Sequence, residues 1–147
     1  MKKTVTSLLL SVSLGAAASA AEQATTDDAH ALALKAAAYV EEHGVEDAAN
    51  AFAVKGSEWL AKDMYVIVQE KGTGITLANG AKPSFIGKSL LGLKDPDGKP
   101  FAKMIGEIEG EGWVDYKWPS PATGLITEKS TFCKQVENML VCVGAYK

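Results

Sequence analysis

The sequence has no arginine; its basic side chains are lysines, apart from two histidines. A carboxylate or phosphate must therefore be met by ammonium point charges, hydroxyls or backbone N–H groups, not by a guanidinium fork. Cysteine is confined to Cys133 and Cys142, which excludes a disulfide-dense scaffold and a cysteine-rich zinc cluster. His30 and His43 have no cysteine or carboxylate company at metal-ligand spacing. Gly-x-Ser-x-Gly is missing, and no histidine stands in a nucleophile pattern. No catalytic residue, cofactor or metal is therefore assigned, and the chain does not read as an enzyme. Beyond residue 21, no apolar run approaches the roughly 20 residues of a membrane helix.

What is present begins with an export signal. Lys2 and Lys3 form a positive n-region, Leu8 to Ala18 is a short apolar run, and Ala18-Ser19-Ala20 and Ser19-Ala20-Ala21 are small-residue cleavage sites. Residues 1–21 are read as a signal peptide, and 22–147 as one domain of about 126 residues, large enough for a real core. The expected compartment is a bacterial periplasm. Losing Lys2 and Lys3 takes the formal charge from −3 to about −5. A mildly acidic exported domain gives no support to nucleic-acid or anionic-membrane binding.

Thr26 is a good N-cap, with Asp27 and Asp28 opposing the dipole of the helix that follows. Leu32, Ala36, Tyr39, Val40 and His43 share one face at helical spacing. Gly44 suits the helix end. A second helix runs from Val45 to about Val54. Met64 to Gln69 is the strongest strand signal, rich in β-branched and aromatic residues, and Ile75 to Ala78 is its short partner. Ser89-Leu90-Leu91 suggests one helical turn. Asp95-Pro96-Asp97-Gly98 is a turn; two aspartates without further ligands and a closing glutamate do not make a calcium loop. Pro100 to Glu109 reads as a helix. Three strands close the chain: Gly112 to Trp118, Lys129 to Val136, and Met139 to Tyr146. The order predicts an α+β fold, an antiparallel sheet of five strands with a helix crossing between the second and third.

Glu137-Asn138 suits a two-residue hairpin. Val136 then opposes Met139, and counting outward sets Cys133 against Cys142, with Cα atoms roughly 4.5 Å apart as a non-hydrogen-bonded pair. That spacing and an oxidising compartment predict a cross-strand disulfide.

The segment from Met64 to Tyr146 resembles the single Cache domain, the extracytoplasmic relative of the PAS fold. The resemblance rests on Met64-Tyr65-Val66-Ile67-Val68, Ile86-Gly87-Lys88-Ser89-Leu90, Lys94 to Phe101, Gly112 to Pro119, Thr123-Gly124, Lys129, Phe132 and Gly144-Ala145-Tyr146. It implies a PAS-like fold in which a long N-terminal helix lies against a five-stranded antiparallel sheet. It also implies a pocket between the sheet and the crossover, and small-molecule sensing for chemoreceptors and histidine kinases. Similar members bind short carboxylic acids. Asn79-Gly80 stands where many relatives have a His-Pro-like pair. The chain ends at Lys147, so the expected form is free-standing.

Tyr116 and Trp118 alternate with Trp113, Asp115 and Lys117 along one strand. Both sets carry an aromatic; the resemblance favours Tyr116 and Trp118 in the pocket, and Trp113 stays a candidate beside them. Tyr65 offers a hydroxyl from the central strand. Lys129, read as the first residue of its strand, is the candidate to neutralise a carboxylate. At such a strand end it would be removable with little loss of stability. The expectation is a sensor of a short organic acid that signals to a membrane receptor, with a homodimer through the N-terminal helix left open. The alternative is a non-enzymatic interaction module whose pocket is filled by its own side chains.

Overall fold

In the computed structural model, which describes residues 22–147, the first helix is opened by Thr25, not Thr26. The Thr25 hydroxyl accepts the Asp28 N–H at 3.1 Å, and the Asp28 carboxylate accepts the Thr25 N–H at 2.9 Å. Only Thr25 has an acidic residue three places on, so only Thr25 closes the reciprocal box. Asp28 also receives the Lys62 ammonium at 2.8 Å. The expected signal peptide and its cleavage sites lie outside the described residues.

Helix α1 (Thr26–His43) presents Ala29, Leu32, Ala33, Ala36, Ala37 and Val40 to the sheet. The alanines let the helix axis lie close to the strands. Gly44, at φ +80°, ends α1 and begins α2 (Val45–Phe52). The sheet follows: β1 (Val66–Glu70), β2 (Thr76–Asn79), β3 (Glu111–Pro119), β4 (Ile126–Val136) and β5 (Met139–Tyr146). Its order is β2-β1-β5-β4-β3, antiparallel throughout. Between β2 and β3 the chain crosses one face of the sheet through a turn of 3-10 helix (Pro83–Phe85) and α3 (Phe101–Gly106).

The sheet is covered on both faces. Val66, Val68, Val141 and Val143 pack under α1, while Val114, Tyr116, Leu140 and Cys142 pack against α3. Burial on both sides explains why β5 is buried from Leu140 to Tyr146 and carries no polar alternation.

Several boundaries differ from expectation for tertiary reasons. Strand β4 begins at Ile126, not Lys129, because Ile126, Thr127 and Glu128 pair with Pro119, Trp118 and Lys117. Helix α3 stops at Gly106, short of Glu109. Ser89 does not open a helical turn; it bridges Ile75. The Asp95–Gly98 turn forms, and the Asp95 carboxylate accepts the N–H groups of Asp97, Lys99 and, from β3, Lys117.

The β4–β5 register follows the two-residue hairpin: Val136 opposes Met139 and Cys133 opposes Cys142. The cysteines are disulfide-bonded, with Cα atoms 4.1 Å apart. The loop they enclose is short, so the bond constrains the unfolded chain by only about 2–3 kcal/mol. Urea unfolding of oxidised and reduced protein is expected to differ by that amount. An unchanged midpoint would show that the hairpin holds its register without the bond.

Candidate functional site

Alternation along the strands decides what faces α3. From β3 these are Val114, Tyr116 and Trp118; from β4, Lys129, Thr131 and Cys133; from β5, Cys142, Gly144 and Tyr146; from β1 and the residue just before it, Ile67, Gln69 and Tyr65. A cavity of about 50 Å³ lies between this face and the crossover. Its walls include Tyr65, Gln69, Phe101, Tyr116, Trp118 and Thr131. Phe101 of α3 stacks on Tyr116 at 4.1 Å between ring centroids, and Trp118 meets Phe101 edge-on at 5.3 Å.

Lys129 is 1% exposed, so it is buried and not a solvated strand end. Its stem passes over Gly144 of β5. A Cβ on Gly144 would lie 2.2 Å from Lys129 Cε and 2.5 Å from Thr131 Oγ1. The missing side chain is what lets the lysine cross β5. Its ammonium donates to the Tyr65 hydroxyl at 2.8 Å. It also sits 4.3 Å from the Tyr65 ring centroid, 4.9 Å from that of Tyr146 and 5.8 Å from that of Tyr116. This is a cation held by π-faces, with no ion pair among the described residues. Burial pulls its pKa down to about 7, against the opposing charge of Asp63.

The hydroxyls continue outward. Tyr65 and Tyr146 are 3.2 Å apart, and the Tyr146 hydroxyl donates to the Pro119 carbonyl at 3.1 Å. The Tyr116 and Thr131 hydroxyls are 3.0 Å apart. Burial pushes the phenols of Tyr65, Tyr116 and Tyr146 up, so all three stay neutral donors at ordinary pH. Lys129 itself is off the cavity wall; Tyr65, Tyr116 and Thr131 present the surface and the ammonium supplies charge behind it.

The family model for "Single Cache domain 2" matches residues 1–146. The chain belongs to the single Cache domain family. Four solved chains share its fold, three of them as follows. One is described as a methyl-accepting chemotaxis protein from Vibrio parahaemolyticus RIMD 2210633, at 17% identity and TM-score 0.67, covering 82% of this chain and 86% of that one. Another is a periplasmic sensor domain of a chemotaxis protein, at 23% and 0.60, covering 82% and 88%. The third is described as "Structural basis for carboxylic acid recognition by a Cache chemosensory domain", at 18% and 0.63, covering 82% and 92%. No curated protein matches the sequence. Cache domains are extracytoplasmic sensor domains, and no described helix here is long and apolar enough to cross a membrane.

This Cache domain brings Lys129, Tyr65, Tyr116 and Trp118 to one face. Trp113 is not among them. Odd-numbered along β3, it points to the α1 side, 5.2 Å from the Phe132 ring and 6.3 Å from His30, and is 44% exposed. Its candidacy as a pocket residue is withdrawn on that geometry. Several site residues went unread in the sequence, Phe101, Thr131 and Gln69 among them. Tyr146 and Gly144 were within reach, since carrying the hairpin count four places past Cys133 sets Lys129 against Tyr146. Lys82 carried a weaker signal: Asn79 Oδ1 accepts the N–H groups of Ala81 and Lys82, an Asx turn. It sets the Lys82 ammonium at the cavity mouth, 5.6 Å from the Trp118 ring.

Gly144→Ala is expected to cost about 1–3 kcal/mol by overpacking, read by urea unfolding; an unchanged midpoint would refute the close approach of Lys129. The lysine also predicts a pH dependence. Its folded pKa is about 7 against an ordinary value of 10.5, so between those values the unfolded chain binds more protons and stability rises with pH. Below about pH 7 that contribution is absent. The melting temperature of the wild type is expected to climb from pH 7 to pH 9 relative to Lys129→Met; parallel curves would refute the burial argument.

Proposed function

We propose that this Cache domain is a periplasmic sensor of a short organic acid, with the carboxylate received by the Tyr65 hydroxyl, whose one proton turns to it from Tyr146, and the Lys129 charge directly behind it. The observation that carries the reading is the buried ammonium with no anionic partner among the described residues. A buried cation is costly unless paired, and a bound carboxylate supplies the missing charge. The entry is lined by Tyr65, Trp118 and Lys82, which border both the cavity and the outer cleft beside Ser120 and Pro121. The exposed Lys82 draws the anion toward the mouth, and Tyr116, Trp118 and Phe101 wall the apolar part. The neighbour described as recognising carboxylic acids supports this ligand class. The reading includes export through residues 1–21 and a signal passed to a membrane receptor or sensor kinase, with no chemistry done on the ligand.

A second reading, an interaction module with a filled pocket, draws on the small cavity and the Phe101–Tyr116 stack that occupies much of this face.

A thermal-shift panel of C2–C5 carboxylic acids on the oxidised protein separates them. An acid at 100 times its Kd is expected to add about 2.7 kcal/mol. Lys129→Met keeps the stem and removes the charge, so it is expected to weaken binding about 10–100-fold, the range of a lost hydrogen bond to a charged group. No shift with any acid, from a well-folded protein, favours the module. Undiminished affinity in Lys129→Met overturns the role of the lysine.

A further inference from the structure

The cavity has a second polar end. Gln69 lies on β1, two alternations beyond Tyr65 on the same face, with Cα atoms roughly 13 Å apart at strand rise. It is 7% exposed and lines the cavity. Its Nε2 is buried and has no hydrogen-bond partner among the described residues. A buried amide donor left unmet costs the fold stability, and native chains seldom keep one without a use. Between Tyr65 and Gln69 the walls are Ile67, Leu90, Leu93, Ile105 and the disulfide at Cys142, none of which offers a charge.

We propose that the ligand carries a second oxygen acceptor, uncharged, at the end remote from its carboxylate, and that the Gln69 amide donates to it. This rests on the carboxylate reading above and narrows it. The class is an oxo- or hydroxy-acid, not a plain fatty acid, with an apolar segment between its two oxygen functions. A dicarboxylate fits poorly, because the cavity lining at the Gln69 end includes no cation and Lys71, two places on, is paired with Glu109, so a second buried anion there would go unpaired. The cavity, about 50 Å³, is smaller than a five-carbon acid, so the crossover side chains over it draw back as the ligand binds.

The test measures, by calorimetric titration of the oxidised protein, the affinities of pentanoate, 4-oxopentanoate and pentanedioate. The same series is run on Gln69→Met, which preserves length and volume and removes the donor. The wild type is expected to prefer 4-oxopentanoate over pentanoate by about tenfold, with pentanedioate weakest, and Gln69→Met is expected to bring the first two within about twofold. Equal wild-type affinities, or a preference that Gln69→Met leaves intact, overturn the inference and leave the carboxylate site standing. Pentanedioate binding as tightly as 4-oxopentanoate overturns the uncharged end. No binding by any of the three overturns this inference, and the carboxylate reading falls with it where the C2–C5 panel also gives no shift.

Discussion

A slip of one residue between β4 and β5 would turn Lys129, Thr131 and Cys133 to the α1 side and empty the site of its charge. The register is therefore the constraint on which the rest depends. It is held at one end by the two-residue Glu137-Asn138 turn, in its middle by the Cys133–Cys142 bond, and at its far end by Lys129 against Tyr146. In that register Gly144 falls opposite Thr131, where the lysine stem needs an empty position. The disulfide and the glycine are separate devices with one effect, which is to keep a long basic side chain on the correct face.

The lysine is costly to hold there. Three tyrosines solvate its ammonium through ring faces and one hydroxyl, and Asp63 acts on it only at a distance. The arrangement leaves Lys129 divided between charged and neutral forms near neutral pH. A bound carboxylate would favour the charged form, so binding and protonation are coupled at this site. A chain with no arginine suits this device. Guanidinium stays charged at any ordinary pH, whereas lysine shifts readily when buried.

The two faces of the sheet divide the labour. The α1 face is packed mainly with alanine and valine, with Phe52, Phe132 and Trp59 among them, and holds the domain together. The α3 face carries the polar groups and the cavity. The crossover that covers it is short of regular structure, with α3 only six residues long.

Much of this architecture was legible in the amino-acid order, and the legible parts are local. The start of α1, the Asp95 turn, the β4–β5 hairpin and its disulfide all follow from residues a few places apart, whose turn chemistry and spacing act without the rest of the chain. Even there Thr25 replaced Thr26, because a reciprocal cap needs an acceptor at one spacing only. Folding together decided what spacing left open. Strand β3 carries aromatics on both faces, so alternation could not say whether Trp113 or Tyr116 faced the cavity; α1 on one side and α3 on the other chose between them. Lys129 looked like an exposed strand end until β3 extended β4 by three residues beyond it. Lys82 and Gln69 reach the site from the loop after β2 and from β1, segments separated from Lys129 in the chain. Burial is set by layers that meet only in the folded domain, and the charge of Lys129, the unmet amide of Gln69 and the cavity between them all depend on burial.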